Sequence, residues 1–262
     1  MDNVWSRDRK APRQRLTLER IVAEALELLD EEGVGRLTMR RLAERLDTGS
    51  TTLYWHVKTK DDVLDLALDA VFREVRLDAL EHENTGLDAH GGSAGLGGSA
   101  ARGGSGGLGG TARSGERGGG VGLGSGVGVG SGGDWRGPVR GLMRGWRAAL
   151  LRHPWSAALL DRPLMGPNAL ERTEFLYERL IAAGFTAPKA AAYSLSNYVM
   201  GSVIMQVTWQ DSDEADTGDF LRERGGRYPA LAEHGLDHEW DATFDEGLGY
   251  LLDGMEQSRA GR

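Results

Sequence analysis

The chain has 262 residues, with 31 Lys and Arg against 39 Asp and Glu and a formal net charge of −8. That length holds one large domain or two small ones, and the absence of cysteine excludes disulfides, thiolate metal sites and a cysteine nucleophile. No apolar run approaches the roughly 20 residues of a membrane-spanning helix, and the leading MDNVWSRDRKAPRQR has no hydrophobic signal region, so the expectation is a soluble, cytoplasmic protein without a membrane partner.

The charge divides unevenly. Residues 1–60 carry a net +2 and residues 61–262 a net −10. Arg7, Arg9, Lys10, Arg13 and Arg15 gather in a basic N-terminal arm, 1–17, opposed only by Asp2 and Asp8. An acidic body with a cationic leading edge can turn one face to a polyanion.

Ile21, Ala25, Leu28 and Leu29 form a helical stripe that Gly33 closes. Thr38 can cap a second helix that turns Met39, Leu42, Ala43 and Leu46 inward. After the turn Asp47-Thr48-Gly49-Ser50 a short helix of roughly seven residues follows, which is helix-turn-helix spacing. Thr59 and Asp62 approximate a capping box, and apolar residues at 63, 64, 67, 68, 71, 72 and 75 then mark a helix expected to span about 60–82.

From 91 to 133 there are 22 glycines in 43 residues. Such a stretch cannot bury enough apolar area to offset backbone ordering and reads as a flexible insert. Its match to GxGxxG at Gly104–Gly109 lacks a preceding strand and a following amphipathic helix, and is rejected as a phosphate site. Helical periodicity resumes with Val139, Leu142, Met143, Trp146 and Leu150, breaks at His153-Pro154, and returns over about 169–183. Residues 188–209 are apolar nearly all round, which predicts a helix buried on more than one side. Phe244, Leu248, Leu251, Leu252 and Met255 stripe a last helix over about 239–257. These final two long helices are the expected self-association surface, with an ordinary monomer core as the alternative. Asp211–Asp216 reads as a solvated acidic loop lacking calcium-loop spacing. No strand pattern is found, and the fold is expected to be all-α.

On the wheel of the short helix, Leu53 and Val57 must pack against Leu42 and Leu46, while Thr51 and Trp55 point away from that face. Thr52 and Tyr54 lie a quarter turn to either side, and His56 nearer the inner face. Thr, Tyr, Trp and His suit a major groove: hydroxyls and a methyl for base edges, ring N–H and OH groups for phosphate. Arg40 can reach guanine bidentately, and Lys60 brings a cation to a helix N-terminus already favourable to phosphate. The wheel alone leaves open that Tyr54 and Trp55 are core aromatics.

Residues 18–76 resemble the DNA-binding region of the tetracycline-repressor (TetR) family of bacterial regulators. The pattern is Ala25-Leu26-x-Leu28-Leu29, Gly33, Leu37-Thr38, Arg40, Leu42-Ala43, Leu46 and Leu53-Tyr54-Trp55-His56-Val57-Lys58-x-Lys60. Asp47 departs from it, standing where a turn glycine is common; Asp tolerates a left-handed backbone. The resemblance implies a helix-turn-helix head (18–62) and a helical ligand-binding and dimerisation domain (63–262) interrupted by the insert 91–133. It implies a homodimer on a palindromic operator in double-stranded DNA, with Arg40, Ser50, Thr51 and Thr52 addressing bases and Tyr54, Trp55, His56 and Lys60 phosphates. A small-molecule effector would release a repressor of this kind; the alternative is an activator or architectural DNA binder without an effector.

Where family members hold a metal-bound drug with histidines, this chain has Arg76 and Leu160, so no metal or other cofactor is expected, and His153 reads as a helix-end residue. Trp146, Trp155, Phe175, Tyr193, Asn197 and Met200 are the candidate effector-pocket residues, each also consistent with plain core. The six histidines form no triad or metal spacing; His234 and His238 flank Gly235 without a third ligand, and no enzymatic activity is expected.

Overall fold

The computed structural model describes residues 15–82, 134–210, 217–236 and 239–260. Most of the basic arm, the glycine-rich stretch 91–133 with its GxGxxG match, the acidic run 211–216 and His238 lie outside the described residues. Among the described residues there are α-helices and one 3-10 turn but no strand.

The head is built from α1 (Leu18–Glu32), α2 (Met39–Arg45) and α3 (Ser50–Leu53). Threonine opens each of the longer elements. Thr17 accepts from the Arg20 N–H to start α1, and Thr38 from the Arg41 N–H to start α2. The next helix, α4 (Lys60–Arg73), begins with a full capping box: Asp62 N–H donates to the Thr59 hydroxyl while the Asp62 carboxylate accepts from the Lys58 and Thr59 amides. Ile21, Leu28, Leu42, Leu53 and Val63 meet in one buried cluster.

Helix α2 stops at Leu46 because the chain turns left-handed at Asp47, φ +47°. Thr48 N–H bonds to the Ala43 carbonyl and Asp47 N–H to that of Glu44, the two bonds of a Schellman motif with aspartate in the glycine position. Helix α3 is shorter than the expected seven residues. After Leu53 the backbone tightens, with Trp55 N–H bonded to Thr52 and His56 N–H to Leu53, three residues back in each case. His56 therefore lies in the closing turn and is exposed, not near the inner face.

Beyond the head come α5 (Leu77–His82), α6 (Arg136–Arg152), a 3-10 turn (Pro154–Leu159), α7 (Pro167–Ala182), α8 (Pro188–Gln210), α9 (Thr217–Arg222), α10 (Pro229–His234) and α11 (Trp240–Ala260). The single helix expected over 60–82 is two, α4 and α5. The break follows from the guanidinium of Arg172 on α7, which donates to the carbonyls of Arg73 and Val75 and so takes acceptors that a continuing helix would need. Phe72 of α4 meets Trp146 of α6 edge to face at 5.9 Å between ring centroids. Leu195, Val199 and Val203 carry α8 into the core, where it packs on α6, α7 and α11. Its other side stays open among the described residues: Tyr193 (70 % exposed), Ile204 and Met205 are exposed there, while Trp209 near its end packs edge to face on Trp240 of α11.

Candidate nucleic-acid interface

Leu53 and Val57 are buried against Leu42 and Leu46, which fixes the roll of α3 about its own axis. That roll presents the remaining residues outward. Trp55 is 84 % and Tyr54 50 % exposed, and Ser50, Thr51, Thr52 and His56 are exposed beside them. The two aromatics are therefore not core residues, the possibility the helical wheel had left open. Leaving a tryptophan in water forgoes roughly 1.5–3 kcal/mol of burial, a cost that makes sense only at a surface with a partner.

The arginines of α2 differ in what occupies them. Arg45 lies among Glu24, Glu27 and Glu31 of α1, and its hydrogen bonds to Glu31 and Glu24 raise its pKa above the ordinary value. Arg41 pairs with Glu32 at 2.8 Å. Both hold the head together. Arg40 is 86 % exposed and touches only Glu44 of its own helix among the ion pairs described, at 2.9 Å, a contact that costs little to exchange. Lys60, in the first turn of α4, donates its ammonium to the Val34 carbonyl at 2.7 Å, tying α4 to the turn after α1. The eight DNA-contact candidates thus lie on or beside the outer side of the head, with Lys60 spent on a backbone oxygen.

The six effector candidates do not converge. Trp146 and Phe175 are core side chains, Trp155 is buried with its indole N–H donated to Asp30 at 2.6 Å, and Met200 packs at the edge of the core. Tyr193 and Asn197, one turn apart on α8, face outward. A helix apolar on every side gives no sign of which side its own chain leaves open, and these two fell on that side. A cavity of about 260 Å³ lies elsewhere, between α4 and the 162–167 segment, with Leu66, Leu68, Phe72, Leu164 and Met165 as apolar wall and Asp65, Asp69 and Arg162 as polar groups. Trp146 reaches it only through Phe72. Its own indole N–H is buried with no acceptor among the described residues, an uncommon state for a buried donor.

Two charged residues that sequence reasoning passed over join α4 to α7, one of them, Asp69, on the wall of that cavity. Asp69 of α4 is buried and accepts from the amides of Asn168 and Ala169 and from the Asn168 side chain. Arg172 of α7 is buried at the end of α4. In the sequence Asp69 continues the polar side begun by Asp61, Asp62 and Asp65, so nothing in the pattern announces that α7 covers it. Among the described residues no three His, Asp or Glu side chains converge as metal ligands, and no helix is long and apolar enough to cross a membrane.

Comparison with known proteins agrees with this geometry. Residues 21–67 match the family model "Bacterial regulatory proteins, tetR family", and residues 130–259 that of the "Tetracyclin repressor-like, C-terminal domain". An HTH-type transcriptional regulator of Saccharopolyspora erythraea is 42 % identical across 96 % of this chain and 90 % of its own length. The HTH-type transcriptional repressor DrrR1 of Streptomyces coeruleorubidus is 29 % identical across 98 % of this chain and 84 % of its own. Among solved structures, the TetR family protein ActR of Streptomyces coelicolor, in complex with (S)-DNPA, superposes with a TM-score of 0.66 at 25 % identity over 94 % of this chain and all of that one. An outward-facing helix-turn-helix on an all-helical sensor body, matched from head to C-terminal helix, places the chain in the TetR family of DNA-binding transcription regulators.

Proposed function

We propose that this regulator is a cytoplasmic homodimeric repressor that grips a palindromic operator with one α3 in each of two adjacent major-groove faces and is released by a small-molecule effector. The observation that carries the DNA half is the outward set Thr51, Thr52, Tyr54 and Trp55 on α3 and its closing turn, which Leu53 and Val57 anchor from the inner side. Arg40 and Ser50 join the threonines in reading bases; Tyr54, Trp55, His56 and Lys60 address phosphates, Lys60 by leaving Val34. The uncovered apolar face of α8, with Tyr250 exposed on α11, supports a pair of chains, since apolar area of this kind marks a protein contact. Two heads on a twofold axis match half-sites one DNA turn, about 34–36 Å, apart.

The effector half rests on the cavity beside α4, whose walls are mostly apolar with Asp65, Asp69 and Arg162 as polar groups. A largely apolar molecule with a few polar groups suits it. The relative ActR was solved with a small molecule, (S)-DNPA, and DrrR1 bears the name of a repressor. The mechanism is a population shift, in which the effector prefers a dimer whose heads no longer fit the two groove faces. Selecting DNA fragments that the full-length protein retains, then titrating candidate compounds into the complex, tests the reading. A palindrome of two half-sites released by a compound is the expected result. Retention of DNA without sequence preference would leave an architectural binder instead.

A further inference from the structure

The imidazole of His153 stands where the head, the end of α4 and the effector domain meet. His153 closes α6, as a helix-end residue does. Its two ring nitrogens, however, face two different carboxylates: Nδ1 lies 2.7 Å from Asp30 Oδ1 and Nε2 2.8 Å from Glu74 Oε1. Asp30 belongs to the last turns of α1 in the head, and Glu74 ends α4. The side chain is 12 % exposed. A neutral imidazole has one N–H, so one of the carboxylates would then confront a lone pair at hydrogen-bond distance. Only the imidazolium donates to both.

The surrounding groups sharpen this. Trp155, in the 3-10 turn, donates to the same Asp30 oxygen, and Arg152 of α6 donates to the other oxygen of Glu74, 2.9 Å from Nε. Asp30, Glu74 and Arg152 are the charged groups facing the ring from α1, α4 and α6. With His153 protonated the four charges balance; without its proton the junction carries an excess negative charge.

We propose that His153 is a positioning residue for the DNA-reading head, its proton fixing α1 against the effector domain and so making operator affinity depend on pH. This rests on the DNA-binding reading above for its consequence, though not for its geometry. Burial alone would lower the histidine pKa; the hydrogen bonds and charges of Asp30 and Glu74 more than offset it and hold the value above the ordinary 6.5. Glu74 would be raised by burial, but Arg152 and His153 hold it below the usual carboxylate value, so it stays charged across this range. A raised histidine pKa means that the strap is fully in place below pH 6.5 and is lost as pH rises through the higher folded value.

The test combines two measurements on the full-length protein. In the first, the His153 C2–H resonance, assigned by its absence in H153Q, is followed with pH together with the Trp155 indole N–H. A midpoint above 6.5 shared by both signals is expected; a midpoint at or below 6.5, or an indole signal that ignores it, overturns the proposal. In the second, affinity for a fragment selected by the protein is measured from pH 6 to 9 for wild type and H153Q. Every other group is common to both proteins, so the ratio of their affinities isolates His153. That ratio should fall about tenfold, the equivalent of a one-unit change in pKa between bound and free states; a ratio constant with pH overturns the proposal. Should H153Q fail to fold, D30N keeps the shape of the junction and an acceptor for Trp155, and should lower the His153 midpoint; an unmoved midpoint counts against the strap. Wild type that retains no DNA at any pH, with the shared midpoint present, would defeat the DNA reading and leave the strap standing.

Discussion

Asp69 and Arg172 cap each other's helices. The carboxylate of Asp69 on α4 accepts from the Asn168 and Ala169 amides at the start of α7, the latter at 2.9 Å, and the guanidinium of Arg172 on α7 donates to the Val75 carbonyl beyond α4 at 2.7 Å. An anion thus meets a helix N-terminus and a cation a C-terminus, each from the opposite helix. Gly166, the residue before α7, supplies no cap of its own and leaves the room: a Cβ there would lie 2.2 Å from the Asp69 carboxyl carbon. Helix α4, which ends in the head's capping box at one end, is therefore fastened to α7 at the other.

Removing the Asp69 cap should loosen that attachment. Asp69→Ala leaves two amides of α7 without a partner and is expected to cost about 1–2 kcal/mol, or roughly 2–8 °C in Tm. Gly166→Ala should cost at least as much by expelling the Asp69 carboxylate. Chemical denaturation checks both; an unchanged midpoint for both variants would mean that the clamp is idle.

Trp55→Ala should separate stability from DNA affinity. The side chain is exposed, so the unfolding free energy should stay within about 0.5 kcal/mol, while affinity for a selected fragment falls severalfold. Equal loss of both would place Trp55 in the folding core.

Arg40→Ala should relax base preference at one position per half-site, at a cost of about 1–3 kcal/mol in discrimination. Lys60→Met acts differently. It removes a phosphate partner for all sequences alike and also the tie to Val34, so uniform weakening, a salt slope shallower by about one unit per head and a small drop in Tm are expected together. Fragment selection repeated on each variant distinguishes the two; altered preference in Lys60→Met would reverse the assignment.

The paired state should depend on the open side of α8. Ile204→Asp combined with Tyr193→Ser removes exposed apolar groups without entering the core, and sedimentation velocity should find the variant at half the mass of wild type. Affinity for the palindrome should fall steeply because each half-site then binds alone. A monomeric wild type would refute the two-headed grip.

Most of the head was legible because its determinants are local; the exceptions are the early end of α3 at Leu53 and the exposed His56 in the turn that follows. Threonine caps, the Leu53/Val57 face and an aspartate able to turn left-handed at position 47 all act within a few residues of themselves. The expected helix over 60–82 failed at Glu74 because its break is imposed by Arg172, about a hundred residues away in sequence. The effector candidates scattered for a related reason: an apolar residue on a helix hydrophobic all round carries no mark of which neighbour will cover it. His153 was correctly placed at a helix end, but its two carboxylate partners come from α1 and α4 and belong to no motif.

Helix α3 and its closing turn spend Leu53 and Val57 on staying in place and lend the side chains around them to the solvent. Substitutions at 51 and 52 would therefore alter the base contacts proposed for the head without drawing on what keeps it folded. A lineage carrying this scaffold can drift from one target sequence to another by single steps, none of which passes through an unfolded intermediate.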